Sequence, residues 1–345
     1  MSYRCHHLNG FMSKIVSHEI RLASRPKGIP TAANFALAQT ELGPLQDQEV
    51  LIRNLFLSVD PYMRGRMNDR KSYVPPFELG KPLTGGAVGE VVESRARQFK
   101  PGDAVTSNFG WREHFIASAK ELRPISPEVQ PLSLHLGVLG LTGLTAWVGL
   151  NLVEVKAGET IFISGAAGAV GSIAGQLAKL RGCRVIGSAG SPEKVKFLRE
   201  DCGFDVAFDY KAGPVLDQLK LGAPDGIDVY FDNVGGEALE AALSTLRVHG
   251  RIAACGAISV YNEEKPPPGP SNLFNMITKR LTMKGFIVRD WLERQEEFEK
   301  EVGGFLRAGQ LKNKETIAQG LGQAVGAFLG LFEGKNVGKM VIKLP

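Results

Sequence analysis

A glycine-rich turn between an apolar strand and a helix is a feature of the sequence that indicates ligand binding. The strand is predicted at 161–164, and the turn runs through Gly168 to Gly171 before the helix SIAGQLAKLRG. Gly168 lets the backbone approach a pyrophosphate, Gly171 lets the helix pack on the strand, and the amides at the helix start attract phosphates. The turn therefore predicts a dinucleotide site. Ala166 replaces the first glycine of the usual motif, and a purely structural turn is the alternative.

The residues after the second predicted strand indicate which dinucleotide is bound. An enzyme that uses NAD usually has an acidic side chain there, about twenty residues beyond the glycines, to bind the ribose hydroxyls. This chain has small neutral residues at that point, followed by Ser191 and Lys194. A hydroxyl and an ammonium can bind a 2′-phosphate that a carboxylate would repel, so the segment favours NADP(H). An ordinary helix cap with a surface lysine is the alternative.

Small and polar residues also follow the fourth and fifth predicted strands. Asn233 ends the fourth strand, and Cys255, Gly256 and Ala257 end the fifth. Because the carboxyl ends of parallel strands line the ligand crevice of a doubly wound sheet, we expect these residues beside the dinucleotide. Plain turn chemistry would explain either segment before the topology is considered.

A metal site is not expected, because the residues that bind zinc are scattered. A catalytic zinc needs about three Cys, His or carboxylate ligands at one point, and a structural zinc usually needs clustered cysteines. The N-terminal part of the chain offers Cys5 and the isolated histidines His114 and His135. Alcohol oxidation by Lewis-acid catalysis would therefore lack the metal ion that polarises the substrate oxygen.

Hydride transfer from the nicotinamide itself is the chemistry that remains. Hydride addition to the β-carbon of a conjugated carbonyl leaves an enolate, which needs hydrogen-bond donors and a proton source. We select Tyr261, beside a proline-rich stretch, and Tyr62, in VDPYMRGRM, as the catalytic candidates. Either could instead be a structural aromatic residue. Arg64 and Arg66 receive no role, since surface salt bridges would explain them equally well.

Two kinds of secondary structure must position these residues. From residue 19 to about 119 apolar runs alternate with Gly and Pro, which predicts strands at 20–24, 49–59, 86–94 and 113–117. After an apolar helix that starts near Leu139, strands and helices alternate, which is typical of a parallel α/β sheet. Six strands are expected, the number in a Rossmann sheet. They are predicted at 161–164, 184–188, 205–208, 228–232, 251–255 and 283–288.

The C-terminal segment is expected to return to the first β region. A helix at 292–306 is followed by an apolar helix at 324–332, which Gly334 closes before the strand KMVIKL. A short terminal strand usually pairs with an earlier one, here in the first β region. The stretch 261–270 must be a surface loop, because its prolines lock the backbone and remove hydrogen-bond donors.

Length, composition and charge exclude several classes of protein. A chain of 345 residues with 43% hydrophobic and 22% charged residues suits two globular domains. The net charge of +5 comes without a basic block, which argues against nucleic-acid binding. No apolar run reaches the roughly eighteen residues of a membrane span. The four separated cysteines, and a start without the pattern of a secretory signal, predict a cytoplasmic protein whose first eighteen residues form a frayed extension.

Taken together, these motifs resemble one family. The sequence is similar to the zinc-independent medium-chain reductases that include prostaglandin reductase, plant double-bond reductases and bacterial curcumin reductase, from about residue 20 to the end. The shared motifs are LSVDPYMRGRM at 57–67, GAAGAVGS at 165–172, GSPEK at 190–194, FDNVGG at 231–236, VYN at 260–262 and GKNVGK at 334–339.

The resemblance implies both an architecture and an activity. A GroES-like β domain, formed by 1–137 and completed by 306–345, would surround an inserted Rossmann domain at 138–305 that binds NADP(H). Members are commonly dimers and reduce α,β-unsaturated ketones and aldehydes with NADPH. A dimer built through the sixth strand would extend both sheets.

The resemblance also assigns roles to individual residues. It places the pyrophosphate on Gly168, Ala169, Val170 and Gly171, the 2′-phosphate on Lys194, and further parts of the cofactor on Tyr210, Asn233 and Asn336. The nicotinamide and substrate cleft would be lined by residues 255–261, Cys255 and Gly256 included, and by Phe286, Ile287 and Val288. Tyr261 lies where the family has a tyrosine near the substrate carbonyl, and the nicotinamide ribose hydroxyl would share the stabilisation of the enolate.

The prediction is therefore an NADPH-dependent reductase of the carbon–carbon double bond of enones and enals. Two alternatives stay open at this point. One is a quinone reductase with a similar fold and hydride source. The other is a non-catalytic NADPH sensor, since a fold alone does not prove activity.

Overall fold

Antiparallel strands form the N-terminal part of the chain, in a computed structural model that describes residues 15–265 and 267–345. The strands are β1 (Ile15–Leu22), β2 (Phe35–Leu42), β3 (Glu49–Ser58), β4 (Ala87–Ser94), β5 (Ala104–Ser107), β6 (His114–Ser118) and β7 (Arg123–Pro124). β1 pairs with β2 along its length and forms isolated bridges with residues 79, 82 and 112, whereas β3 pairs with β4 and with β6. Val50 and Ile52 of β3 are fully buried, because alternate residues of the strand face the core beneath the sheet.

A sheet of six parallel strands forms the middle of the chain. The strands are β8 (Thr160–Ile163), β9 (Arg184–Ala189), β10 (Val206–Asp209), β11 (Ile227–Asp232), β12 (Leu246–Ala254) and β13 (Thr282–Gly285). Their order is β10-β9-β8-β11-β12-β13, so the direction of winding reverses between β8 and β11. This is the Rossmann order, whose ligand crevice lies at that reversal point. The predicted Rossmann sheet is confirmed.

Helices cover both faces of the parallel sheet. They are α2 (Leu141–Leu152), α3 (Ala169–Leu180), α4 (Pro192–Glu200), α5 (Val215–Gly222), α6 (Gly236–Thr245), α7 (Asn275–Thr278) and α8 (Gln295–Arg307). Two further helices, α1 (Met63–Arg66) and α9 (Ala324–Phe332), pack against the antiparallel strands instead. Ile161 and Ile163 of β8 pack in the core with Trp147 of α2, whereas Phe162 packs in a second core with Leu219 of α5. The strand is apolar throughout because both of its faces are buried.

The C-terminal segment joins the first sheet, as predicted. It adds β14 (Glu315–Gln319) and β15 (Lys339–Lys343), and β15 pairs with β14 in parallel and with β3 in the antiparallel sense. α9 has the predicted bounds, and its Phe328 is buried against Trp111. The parallel sheet is therefore inserted between strands of the antiparallel sheet, which confirms the predicted fold class.

Several local predictions were wrong or incomplete. Residues 15–18 belong to β1 and not to a frayed extension, while residues 1–14, Cys5 among them, lie outside the described residues. The strand predicted at 283–288 ends at Gly285, and Val288 begins a 3₁₀ helix, Val288–Arg294. β2, β5 and β14 were not predicted. β2 and β14 are only partly buried, so they lack the apolar pattern that marks a strand.

None of the helices in the described part of the chain combines the length and the apolar character that a bilayer crossing requires.

Candidate active site

A cavity of about 1350 Å³ lies between the carboxyl edge of the parallel sheet and the antiparallel sheet. It brings together most of the residues predicted for the site. Its lining includes Tyr62, Gly168, Ala169, Val170, Gly171, Lys194, Tyr210, Asn233, Cys255, Gly256, Tyr261, Phe286, Ile287, Val288 and Asn336. Ser191, Ala257 and Val260 were predicted for the site and are not among the lining residues.

The glycine turn opens the start of α3 toward this cavity. Gly168 is the N-cap of α3 and has no side chain that could satisfy the first amides of the helix. A Cβ on Gly171 would lie 2.6 Å from the carbonyl oxygen of Gly165, so only glycine allows the helix to pack this closely on the turn. Unsatisfied amides at a helix start carry partial positive charge and bind anions. The turn thus has the geometry of a phosphate site.

Lys194 projects from α4 toward the C-terminal segment. Its Nζ donates a 2.7 Å hydrogen bond to the carbonyl oxygen of Gly334. Burial lowers the pKa of Lys194, and the nearby positive charge of Lys211 lowers it further. The Ser191 hydroxyl accepts a hydrogen bond from the Lys194 amide and caps α4. The helix cap is therefore present, and Lys194 is half-buried and not a free surface lysine.

The ends of β9 and β11 shape the middle of the cavity. Ser188, Ala189 and Gly190 line it where β9 ends, without a carboxylate at that point. At the end of β11, Asn233 is fixed by its side-chain amide, which donates a 2.8 Å hydrogen bond to the Ser164 carbonyl oxygen. Tyr210 is half-exposed beside Gly190. The crevice thus offers neutral and basic groups where a dinucleotide ribose would lie.

Tyr261 lines the same cavity beside Gly256, at the end of a 3₁₀ turn, Ile258–Val260. Its hydroxyl oxygen accepts a 3.2 Å hydrogen bond from the Ala257 amide. This bond occupies a lone pair, so the hydroxyl hydrogen is left to donate elsewhere. Burial raises the pKa of Tyr261, against the effect of the Ala257 hydrogen bond, and the phenol is neutral near pH 7. Burial and Asp232 raise the pKa of the neighbouring Cys255 thiol to about 12, so that thiol is also neutral.

Tyr62 stands at the start of α1 and faces the same cavity. Burial raises its pKa well above the usual range, and the negative charge of Asp60 raises it further. Asp60 in turn accepts a 2.8 Å hydrogen bond from Nζ of Lys339, which also donates to the Val59 carbonyl oxygen at 3.0 Å. The Ser58 hydroxyl donates to the second oxygen of Asp60. Tyr62 is thus a second neutral phenol, next to a buried ion pair.

Arg64 and Arg66 do not form the surface salt bridges that were the alternative explanation for them. Arg64 is 3% exposed, and its Nε donates a 3.1 Å hydrogen bond to Oδ1 of Asn262, next to Tyr261. Arg66 donates to the carbonyl oxygens of Pro75 and Thr84. Both guanidiniums therefore hold loops that border the cavity.

Candidate metal ligands do not converge in the described ranges, where no group of three or more His, Cys, Asp or Glu side chains could hold a metal ion. His114 lies in β6, and His135 lies in the 3₁₀ helix Leu132–Leu136. Burial lowers the pKa of both histidines.

Comparison with known proteins places the chain among oxidoreductases. Residues 18–125 match the family described as the N-terminal domain of oxidoreductase, and residues 169–306 match the family described as zinc-binding dehydrogenase. NADPH-dependent curcumin reductase of Escherichia coli is 41% identical over 94% of this chain and 95% of its own length. 2-Alkenal reductase (NADP(+)-dependent) of Nicotiana tabacum is 46% identical over 95% and 98%. The crystal structure of CurA in complex with NADPH from Vibrio vulnificus has a TM-score of 0.91 at 41% identity, and the match covers 95% of this chain and 99% of CurA.

The chain belongs to the medium-chain dehydrogenase/reductase family. Identities above 40% over nearly the whole length place it with the curcumin, prostaglandin and 2-alkenal reductases of that family. Prostaglandin reductase 1 of Rattus norvegicus is 44% identical over 92% of this chain. The resemblance inferred from the sequence motifs is thereby confirmed.

The sequence analysis assigned no role to six polar or charged residues that line the cavity. They are Asp60, Tyr73, Lys211, Asn262, Arg289 and Lys339. Lys339 could have been noticed in the sequence, because it is a lysine directly before the apolar run MVI in the strand KMVIK. Buried lysines are rare unless they are paired, so that position invited a search for a carboxylate.

Proposed function

We propose that this protein is an NADPH-dependent reductase that adds hydride to the carbon–carbon double bond of α,β-unsaturated ketones and aldehydes. The observation that carries the proposal is the hydroxyl of Tyr261, which accepts from the Ala257 amide and is free to donate into the same cavity as the glycine turn. The names of the curcumin and 2-alkenal reductases support the same reaction type.

The cofactor proposal rests on the fit of the cavity to NADP(H). The amides at the start of α3 suit the pyrophosphate, and Lys194 and Lys211 supply positive charge near the end of β9. Ser188, Ala189 and Gly190 present no carboxylate that would repel a 2′-phosphate. NADP(H) is therefore favoured over NAD(H). Ser191 contributes through its cap, which fixes the start of the helix that carries Lys194.

The remaining predicted cofactor residues lie where a nicotinamide could be held. Cys255 and Gly256 follow β12, and Phe286, Ile287 and Val288 follow β13, so the two neighbouring strands deliver them to one edge of the sheet. Asn336 is oriented by its side-chain amide, which donates to the Gly338 carbonyl oxygen at 2.9 Å. We propose that these residues surround the nicotinamide ring and its ribose.

The mechanism assigns one task to each tyrosine. When bound, NADPH supplies the hydride for the β-carbon and a ribose hydroxyl as a further hydrogen-bond donor. Tyr261 donates a hydrogen bond to the substrate carbonyl oxygen and stabilises the negative charge that develops there. Its raised pKa keeps the hydroxyl protonated through the neutral range. Tyr62, neutral for the same reason, is a second donor in the same cavity.

A steady-state assay of NADPH oxidation over enals, enones, quinones and saturated ketones tests this function. We expect turnover with enals and enones, and no turnover with saturated ketones, since their carbonyl carbon has no conjugated double bond to accept hydride. Turnover with quinones alone would favour the quinone reductase, and binding of NADPH without any turnover would favour the sensor. Equal use of NADH and NADPH would contradict the cofactor proposal.

We also propose that the protein is a homodimer joined through β13. That strand is the edge of the parallel sheet, and all four of its residues are exposed. Phe274 and Ile277, beside it, are 68% and 69% exposed. An unpaired edge with apolar neighbours suits pairing with a second copy.

Sedimentation of the variant Phe274→Glu tests this dimer and should show a monomer. The variant Leu221→Glu changes an exposed apolar residue of α5 and is the control, which should leave the dimer intact. A wild-type monomer would refute the dimer.

The domain division and the cellular location remain proposals as well. We propose a Rossmann domain at 138–305 within a GroES-like domain of 1–137 and 306–345, in agreement with the way β15 joins β3. We propose a cytoplasmic location, which the free thiols of Cys183, Cys202 and Cys255 support.

A further inference from the structure

A buried hydrogen-bond network lies next to the cavity, where β8 and β11 end. Ser164 directly follows β8, Tyr230 and Asp232 belong to β11, and all three side chains are buried. The Tyr230 hydroxyl donates a 2.7 Å hydrogen bond to Oδ1 of Asp232 and lies 2.9 Å from Oγ of Ser164. None of these three residues lines the cavity, so any influence on the reaction must pass through their neighbours.

The Asp232 carboxylate holds the turn that follows β11. Its Oδ1 accepts hydrogen bonds from the backbone amides of Val234 and Gly235, at 2.9 and 2.7 Å. Gly235 has a φ of 71°, in the left-handed region that glycine adopts readily. Glycine permits this conformation but does not fix it, because its backbone is also free to adopt others. The carboxylate therefore supplies the constraint on the turn.

Ser164 attaches the same turn to β8. The backbone amide of Asn233 donates to Oγ of Ser164 at 3.1 Å, and the side-chain amide of Asn233 donates to the Ser164 carbonyl oxygen at 2.8 Å. Asn233 is thus held by its backbone and by its side chain against one buried residue. The turn is fixed from two sides, by the carboxylate of Asp232 and by Ser164.

The segment 255–261, which ends with the catalytic candidate Tyr261, is bonded to this turn. The carbonyl oxygen of Asp232 accepts hydrogen bonds from the amides of Cys255 and Gly256, both at 2.9 Å. The next two carbonyl oxygens of the turn accept from the amides of residues 258 and 259, at 3.3 and 3.2 Å. Four backbone hydrogen bonds therefore place the segment relative to the turn.

The hydroxyl of Tyr261 lies close to the backbone of this segment. It accepts a 3.2 Å hydrogen bond from the Ala257 amide. A Cβ on Gly256 would lie 3.2 Å from the Tyr261 hydroxyl oxygen and 3.2 Å from the Asn233 carbonyl oxygen. The path from the turn to the hydroxyl thus consists of backbone atoms in close contact, so a displacement of the turn also displaces the hydroxyl.

We propose that Asp232 is a positioning residue for the reduction, because its carboxylate holds the turn that sets the place of the Tyr261 hydroxyl in the cavity. This inference rests on the proposed reductase function, in which that hydroxyl donates a hydrogen bond to the substrate carbonyl oxygen. A misplacement of about 1 Å in a catalytic group can lower a rate about a hundredfold.

The test combines Asp232→Ala with Tyr261→Phe in a double-mutant cycle. The kcat for the enal cinnamaldehyde is measured at saturating NADPH for the wild type, both single variants and the double variant. We expect Asp232→Ala to lower kcat about tenfold when Tyr261 is present, but less than about twofold in the Tyr261→Phe background, where the positioned hydroxyl is absent. A loss by the same factor in both backgrounds, or no loss in either, refutes the positioning role.

Two further variants of the same strand distinguish positioning from a general loss of stability. Asp232→Asn keeps an oxygen that accepts from the turn amides, so kcat should stay within about threefold of the wild type. Asp228 also joins β11 to β8, since its Oδ2 accepts from the Thr160 amide at 2.8 Å, but it lies at the amino end of the strand, away from the cavity. Asp228→Ala should therefore keep the wild-type kcat. If either variant is as slow as Asp232→Ala, the inference is wrong.

NADPH binding supplies a measurement that does not depend on turnover. We expect fluorescence titration of Asp232→Ala to give a Kd for NADPH within about threefold of the wild type, because Lys194 and the start of α3 lie outside this network. A loss confined to the Kd, with kcat retained, would assign Asp232 to cofactor binding and refute the proposal.

Ser164→Ala repeats the cycle with a milder change, and it replaces Asp232→Ala if that variant does not fold. It removes only the hydroxyl that accepts from the Asn233 amide. We expect kcat to fall about threefold when Tyr261 is present and to stay unchanged in the Tyr261→Phe background. Equal losses in the two backgrounds would again refute the positioning role.

The outcomes separate this inference from the function on which it rests. If the wild type reduces cinnamaldehyde and Asp232→Ala is equally slow with and without the Tyr261 hydroxyl, only the positioning role fails. If the wild type reduces neither cinnamaldehyde nor the other enals and enones of the steady-state assay, the proposed function fails, and the positioning role fails with it.

Discussion

The guanidinium of Arg64 donates a hydrogen bond from Nε to Oδ1 of Asn262, 3.1 Å away, although the two residues are 198 positions apart in the chain. Arg64 lies in α1 beside Tyr62, and Asn262 directly follows Tyr261. The bond therefore joins the two loops that carry the catalytic candidates, one from each sheet region.

Removal of the acceptor in this bond should impair catalysis more than cofactor binding. We expect Asn262→Ala to lower kcat/KM for an enone about tenfold, the size of one charge-assisted hydrogen bond, because Arg64 no longer holds the loop of Tyr261. The Kd of NADPH should change less than twofold. Asn262→Asp keeps an acceptor for Arg64 and should retain most of the activity; equal losses in both variants would contradict this positioning role.

The charge of Lys194 should discriminate between the two dinucleotides. We expect Lys194→Ala to weaken NADPH binding by about 1.5–3 kcal/mol, since a charge-assisted contact with the 2′-phosphate is lost, and to leave NADH binding unchanged. Fluorescence titration of both dinucleotides measures the effect. Lys196→Ala, an exposed lysine on the same helix, is the matched control and should bind NADPH as wild type does. A parallel loss for NADH would show that the helix, and not the phosphate contact, was disturbed.

The hydroxyl of Tyr261 should contribute to the chemical step. We expect Tyr261→Phe to lower kcat by about tenfold to a hundredfold, because one of several donors to the developing oxyanion is removed, while the Kd of NADPH is retained. The donor is present below its pKa and is lost as pH rises through that pKa. Because burial raises the pKa of Tyr261, wild-type kcat should stay level from pH 7 to about pH 9. A kcat that already falls between those values would exclude a protonated Tyr261 as the donor.

The buried pair of Lys339 and Asp60 should behave as a coupled unit. Lys339 is 2% exposed, so Lys339→Met would leave the Asp60 carboxylate buried without its cation, and we expect a loss of about 3–5 kcal/mol in the free energy of unfolding. The double variant Lys339→Met/Asp60→Asn removes both charges and should lose less than Lys339→Met alone. Urea-induced unfolding followed by tryptophan fluorescence measures both. A double variant as unstable as the sum of the two single variants would show that the pair is not coupled.

The close packing at Gly171 should not tolerate a methyl group. A Cβ there would lie 2.6 Å from the Gly165 carbonyl oxygen, so we expect Gly171→Ala to displace the turn, to weaken NADPH binding at least tenfold and to lower thermal stability. Gly304→Ala is the control, because a Cβ at this position of α8 meets no atom within 4 Å. That change should leave NADPH binding intact and raise stability slightly through helix propensity. Wild-type affinity in Gly171→Ala would refute the close approach.

The sequence predicted the features that local patterns record. The parallel strands alternate with helices, and β8 and β11 are short, mostly apolar, buried runs with a polar residue at or directly after the end, so the run itself marks the strand. The bounds of α9 also followed from one apolar segment closed by Gly334. β2 and β14 escaped prediction because their stability comes from pairing with β1 and β15, and half-exposed strands need no apolar run.

The sequence by itself determined that a parallel sheet would hold a dinucleotide turn, and that small neutral residues would end the second strand with Lys194 beyond them, because these properties depend on residue types a few positions apart. Only the tertiary structure decided which side chains meet in the cavity. Lys339 and Asp60 are far apart in the chain, and they meet because β15 pairs with β3. Lys194 and Gly334 are also far apart, and they meet because the C-terminal segment passes beside α4. Contacts between such distant residues depend on how whole helices and strands pack, and no local pattern of residues predicts that packing.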